Sequence, residues 1–273
     1  MTHSRTALRD LLDEHGLAPR RDLGQNFMVD PNTVRRIVAL ADVTPGTRVV
    51  EIGAGLGSLT LALAEQGAVV TAVEVDPGLA AALRRITADL PAVTVVEADA
   101  MRLDWAGLLA GHDDWVLVAN LPYNVASPLV CDLLDDVLAI RRMLILVQDE
   151  AADRFCAGPG SKQYGAVSVK VAHHATARKV GQVPATVFLP RPNVESALVA
   201  IERRHDPAGD GIDTDTMFRL VRTAFGQRRK MLRRSLDGLV DTATFATAGI
   251  APEERPERLG LHDWYRLARA VMP

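Results

Sequence analysis

Five short runs rich in Val, Leu and Ile, at residues 47–52, 69–73, 93–96, 115–119 and 143–147, alternate with helical patterns at 58–66, 77–88 and 127–138. Few folds accept that rhythm. Strands separated by helices at this spacing predict a parallel sheet covered on both faces, wound in two directions from its middle. Sheets of this kind bind ligands in the crevice at the carboxyl ends of their strands. The residues that follow each run therefore matter more than the runs themselves.

After the first run comes Glu51-Ile52-Gly53-Ala54-Gly55-Leu56-Gly57. Glycines let a backbone approach a ligand closely, and the helix that follows offers free N–H groups. Gly53-x-Gly55-x-Gly57 is a weak signal by itself. Glu74, however, lies 21 positions beyond Gly53 and ends the second run, where a carboxylate would bind two ribose hydroxyls. The pair fits either a dinucleotide or S-adenosylmethionine. Two residues favour the second. Glu51, inside the glycine motif, suits a cationic methionine moiety better than a pyrophosphate. Asp99, ending the third run, can accept from an adenine amino group, although a helix cap or solvated turn is the plainer role for such a residue.

The fourth run ends in Asn120-Leu121-Pro122-Tyr123. Pro122 removes a donor and pushes Leu121 toward an extended conformation, so the strand must stop in a stiff turn. An amide oxygen, a backbone carbonyl and an aromatic face could together hold a planar base by its exocyclic amino group. Read alone, the tetrapeptide is more simply a strand-to-helix turn with Tyr123 in the core.

At 273 residues the chain has room for about two domains. Runs 164–172, 178–183 and 197–201 read as strands closing one edge of the sheet. The loop-forming segment 205–211 then marks the expected boundary, with residues 1–204 as a catalytic domain carrying an N-terminal arm, 1–30. Short helical patterns at 216–225, 230–239, 242–248, 256–259 and 262–271 predict a small helical domain over 205–273. The two cysteines, Cys131 and Cys156, form no CxxC pair, so neither a disulfide framework nor a zinc site is expected. His173-His174 would point to opposite sides of a strand, and no metal is expected there. No apolar run approaches the roughly 18 residues of a membrane span, and the start is not signal-like, so a cytoplasmic protein is expected. A net charge of −3 excludes a uniformly basic nucleic-acid binder but not a local basic face, such as Arg228, Arg229, Lys230, Arg233 and Arg234. Arg20-Arg21, Arg141-Arg142 and Arg203-Arg204 form smaller clusters.

Taken in order, the motifs resemble the ribosomal RNA adenine N6,N6-dimethyltransferase family along the whole chain. The match runs through Gly24-Gln25-Asn26-Phe27, the glycine loop, Glu74-Val75-Asp76, Asp99, Asn120-Leu121-Pro122-Tyr123 and Val147-Gln148. It continues through Phe188-x-Pro190-x-Pro192-x-Val194-x-Ser196 and Phe225-x-Gln227-Arg228-Arg229-Lys230. The resemblance implies a Rossmann-like methyltransferase sheet with a small C-terminal helical domain. It implies that Asn26, Met28, Gly53, Gly55, Glu74, Asp99 and Asn120 contact S-adenosylmethionine. It places the chemistry at Asn120, Leu121, Pro122 and Tyr123, with Phe188 as a second aromatic wall. Its closest branch implies two adjacent adenines near the 3′ end of 16S rRNA as substrate, met within the small ribosomal subunit or its precursor by a monomeric enzyme. Methylation of 23S rRNA, a primary role in subunit assembly, and a nicotinamide dehydrogenase are the rivals. The last is disfavoured because the tetrapeptide offers no acid or base for hydride transfer. Met28 stands where the family usually has Leu, a volume-conserving exchange. Arg21-Asp22-Leu23 is less basic than the family's usual approach to Gly-Gln-Asn-Phe.

Overall fold

The structure is a computed structural model and describes residues 2–20, 22–123, 125–204 and 211–271. Arg21 and most of the expected boundary loop, 205–210, lie outside the described residues. The chain opens with α1 (Arg5–Glu14), β1 (Phe27–Met28), α2 (Pro31–Leu40), β2 (Arg48–Ile52), α3 (Ser58–Glu65), β3 (Val69–Glu74) and α4 (Pro77–Ile86). Next come β4 (Val93–Glu97), α5 (Trp105–Leu108), β5 (Trp115–Asn120), α6 (Ala126–Asp136), β6 (Ile140–Gln148), α7 (Asp149–Cys156) and α8 (Ala166–His174). The remainder is β7 (Ala175–Val183), β8 (Phe188–Leu189), β9 (Ser196–Arg203), α9 (Thr214–Gly226), α10 (Leu232–Ser235), α11 (Thr242–Ala248) and α12 (Leu261–Val271).

Seven strands form one sheet in the order β4-β3-β2-β5-β6-β9-β7. β2 to β6 run parallel, and β9 pairs antiparallel to β6 from Arg142↔Glu202 to Gln148↔Ser196. From β2 the chain winds outward through β3 and β4, then returns to place β5 on the other side of β2. The switch point thus lies between β2 and β5, where a ligand crevice is expected. The five alternating strands read from the sequence are all present. Helices α2 and α4 start where short acidic side chains take orphan N–H groups: Asp30 accepts from Thr33 and Asp76 from Gly78 and Leu79. The sheet is packed on a core that includes Val34, Ile37, Val49, Leu63, Val70, Leu83, Val118 and Leu146.

Two compact units emerge: Met1–Ala152 with Arg178–Arg203, and Asp153–Ala177 with Arg204–Pro273. This corrects the expected division at 204, because 153–177 belongs with the second unit. The reason is a misread period. Val167, Val169 and Val171 alternate like a strand, but the segment is α8. Ser168 accepts the Gly165 N–H at its start, and Val169 packs in a core with Phe218, Leu220, Phe245 and Trp264. Tertiary burial overrode a β-branched pattern. The helix expected at 230–239 shrinks to α10, because Leu232 and Arg233 donate their N–H groups to the carbonyls of Glu254 and Pro252. No helix among the described residues is long and apolar enough to cross a membrane.

Candidate active site

At the switch point the glycine loop and the Asn120 turn lie side by side. Gly53 and Gly55 have φ of +74° and +58°, the left-handed region that favours glycine. A Cβ on Gly53 would sit 3.6 Å from the Asn120 carbonyl oxygen, and one on Gly55 would press on the Phe27 ring at 3.0 Å. The bare backbone here lets three elements converge without filling the crevice. Three connected cavities mark that crevice, and all of them are lined by Gly53.

Glu74 organises the middle of it. Although the side chain is almost fully buried, one carboxylate oxygen accepts from Gly55 N at 2.8 Å and the other from Asp76 N at 3.0 Å. Burial raises its pKa, while these backbone donors pull it back down. Each oxygen keeps a lone pair for a further donor. Asp76 in turn ties down the N-terminal arm, receiving Gln25 Nε2 at 3.4 Å and Arg20 at 3.6 Å. The arm residues Leu23, Gly24, Gln25, Asn26 and Phe27 thereby line the crevice opposite the strand ends.

Beyond Glu74 lies a mostly apolar slot of about 210 Å³, walled by Ile52, Val73, Val75, Met101 and Leu129 with Asp99 at its edge. Asp99 Oδ1 accepts from Met101 N at 2.9 Å, which fixes the carboxylate and leaves it able to accept more. At the opposite end, a small cavity is lined by Asn26, Met28, Glu51, Ser58 and Asn120. Met28 is buried, and its carbonyl accepts from Ser58 Oγ at 3.1 Å, anchoring the arm to the start of α3.

Glu51 is buried and accepts from Thr60 Oγ1 at 2.6 Å, and burial is the main cause of a pKa pushed up to about 8. A carboxyl whose folded pKa lies above its ordinary 4.5 stabilises the fold fully below that value, and the contribution fades as pH rises toward about 8. The cofactor-free protein should therefore melt at lower temperature as pH is raised across this window. Glu51→Gln should flatten that dependence. Parallel melting curves of the two proteins between pH 5 and pH 8.5 would disprove the assignment.

In the turn after β5, the Asn120 amide is oriented by chemistry rather than by choice. Its Nδ2 donates at 3.0 Å to the backbone carbonyl of Asn26, which can only accept. Its Oδ1 is left without a donor among the described residues. Leu121 continues the ladder by donating to Leu146 O at 3.0 Å, and its own carbonyl receives no donor among the described residues. The Pro122 carbonyl is already taken by Val125 N and Ala126 N at the start of α6. Among the described residues, the open carbonyl of the turn thus belongs to Leu121. Tyr123 lines the crevice half-buried, with its hydroxyl 3.0 Å from Ser196 Oγ on β9, and burial raises its pKa.

Phe188 is not part of this group. It is 1% exposed and paired with Met28 through β1 and β8, and it packs in the sheet core. The residue expected as a second aromatic wall packs in this structure in the core cluster that also holds Met28. Three contributors escaped the sequence reading: Ser196, Thr60 and the Gln25–Asp76 link. Ser196 and Gln25 sat in quoted motifs, but nothing local signalled what they touch.

The set of acceptors and the bare glycine cradle fit a cofactor with a purine, a ribose and a cationic amino-acid tail, and this chain has the architecture of the Rossmann-like S-adenosylmethionine-dependent methyltransferases. The family model for ribosomal RNA adenine dimethylase matches residues 16–271. The chain belongs to that family. It is 44% identical over 279 residues to ribosomal RNA small subunit methyltransferase A of Bifidobacterium adolescentis, covering 97% of this chain and 92% of that one. Identity to the Kineococcus radiotolerans protein of the same name is 47% over 270 residues, covering 96% and 89%. Among solved structures, the 23S rRNA methyltransferase ErmE is similar at 25% identity and a TM-score of 0.67, over 90% of this chain and 100% of that one. A dimethyladenosine transferase from Plasmodium falciparum shares the fold at 22% identity and a TM-score of 0.76, over 88% and 95%.

Proposed function

We propose that this chain dimethylates N6 of two adjacent adenines in the 3′-terminal hairpin loop of 16S rRNA, in the cytoplasm, acting as a monomer on the small ribosomal subunit or its precursor. The observation that carries the chemistry is the pair of open acceptors, Asn120 Oδ1 and the Leu121 carbonyl, on a turn stiffened by Pro122. The relatives' shared name, over nearly their full length, supports the choice of subunit.

An adenine N6 lone pair is delocalised into the ring and is a poor nucleophile. Two acceptors holding its hydrogens favour a pyramidal nitrogen and place partial negative charge where positive charge develops. S-adenosylmethionine, when bound, supplies an electrophilic methyl on a sulfonium. Tyr123, with its hydroxyl tethered to Ser196, presents its ring to the base, which has first to leave its stack. No general base is needed before transfer, because the ammonium-like nitrogen formed is acidic and loses its proton afterwards. After one methylation a single hydrogen remains for the two acceptors, and the second transfer uses the same turn. Asn26, Gly53, Gly55, Glu74 and Asp99 would hold the cofactor along the crevice, with Glu51 near its cationic tail.

The second unit offers the basic face for RNA. Arg228 is held by Glu257 at 2.9 Å and Arg233 by Glu253 at 3.4 Å, whereas Arg229, Lys230 and Arg234 have no ion pair among the described residues. Arg203 is structural: its guanidinium donates to the carbonyls of Leu133, Leu134 and Val137 at the end of α6 and of Ile140 at the start of β6. With three free cations on phosphates, log affinity for RNA should fall with log salt at a slope of about −2 to −3. A slope near zero would remove this face from the interface.

Incubation with undermethylated small subunits and labelled cofactor, followed by mass spectrometry of the nucleosides, tests the function. Dimethyladenosine in 16S rRNA is expected. Product in 23S rRNA alone, or none, overturns the proposal. A primary assembly role would be favoured if an inactive Asn120 variant fully supported subunit maturation.

A further inference from the structure

The apolar slot beside Asp99 has a neighbour. A second cavity of about 310 Å³, lined by Leu103, Asp104, Trp105, Leu133 and Asp136, shares Ala100, Met101 and Leu129 with the slot. Those three residues form the wall between the two spaces. Ala100 has only a methyl group to contribute. Leu129 is 2% exposed on α6 and is fixed by the core. Met101 is different: it is 39% exposed, unbranched and flexible, and its backbone N–H is held by Asp99.

We propose that Met101 is the specificity-determining residue of the adenine subsite, closing it against the neighbouring cavity and limiting the size of substituent accepted on the cofactor's exocyclic amine. This rests on the reading of Asp99 as the acceptor for that amine. The carboxylate that takes the amine also anchors the Met101 backbone, so the Met101 side chain starts at the edge where a substituent would have to pass. Beyond it the space is lined by Asp104, Asp132 and Asp136 as well as Leu103, Trp105 and Leu133, and it exceeds the roughly 150 Å³ that holds a benzene ring. The limit is thus one movable side chain rather than the fold.

The test is calorimetric binding of S-adenosylhomocysteine and its N6-benzyl derivative to the intact protein. The wild type should bind the parent and take the benzyl derivative about 10-fold more weakly, the cost of displacing the Met101 side chain from the opening. Met101→Ala also loses part of the wall around the parent's adenine, so it is read by the ratio of the two affinities, which should fall to within about threefold. Met101→Leu, which conserves volume, should behave as wild type. Equal binding of both ligands by the wild type, or no gain in Met101→Ala, overturns the proposal. Asp99→Ala distinguishes the two levels of failure. If it binds the parent as tightly as wild type, the adenine placement falls and Met101 with it. If it binds the parent poorly while Met101→Ala gains nothing, only the role of Met101 is lost.

Discussion

Asn120→Ala should lower the rate of methyl transfer by at least about 10²–10³-fold, the loss seen when one preorganised group facing developing charge is removed. The reasoning runs through the Asn26 carbonyl, which fixes the amide so that Oδ1 is the atom left over for substrate. Alanine removes both the acceptor and the donor to Asn26. The second loss is modest, about 0.5–1.5 kcal/mol for one hydrogen bond, so the protein should remain folded and melt only slightly earlier. Asn120→Asp separates the two roles. It keeps an acceptor but loses the donor, setting a carboxylate against the Asn26 carbonyl, and it should be impaired while still binding cofactor. Single-turnover rates together with cofactor affinity decide the matter. A variant with near-wild-type turnover would end the mechanism, and one that fails to bind cofactor would make the cofactor contact implied for Asn120 its main task.

Much of this site was legible in the sequence because its main residues are local to strand ends. Gly53, Glu74, Asp99 and Asn120 each follow a strand whose apolar pattern announces where it stops, and a doubly wound sheet brings such ends together without further instruction. What was not legible lies far apart along the chain. Tyr123 is held by Ser196, 73 residues away, and Asn120 by Asn26, 94 residues away. Phe188 shows the limit most clearly. Its motif advertised an aromatic near a proline-rich turn, but only its pairing opposite Met28 reveals that the ring faces the core. The helix α8 failed for a related reason: alternating valines specify a buried face, not the element that carries it. In both cases the missing fact was a partner from another part of the sequence.

Glu74, which holds the backbone of both Gly55 and Asp76, is the most consequential carboxylate. Glu74→Ala should weaken S-adenosylhomocysteine binding by about 10²-fold or more, since two hydrogen bonds from ribose hydroxyls to a charged acceptor contribute about 1.5–3 kcal/mol each. It should also destabilise the cofactor-free protein, which the Asn120 variants scarcely do. The carboxylate is 4% exposed, and removing it orphans the N–H groups of Gly55 and Asp76, at about 1–3 kcal/mol apiece. Glu74→Gln isolates the contributions. One of its two atoms can still accept, so one backbone donor stays satisfied and the loss of stability should be smaller. The ribose grip, which needs two acceptors, should still fail. Calorimetry and melting of the three proteins are the measurements. If Glu74→Ala binds within about threefold of wild type while losing stability, Glu74 only braces the glycine loop. If both quantities fall and glutamine restores only stability, the residue both shapes the loop and holds the ribose, and the first task explains why it is buried where the second requires it.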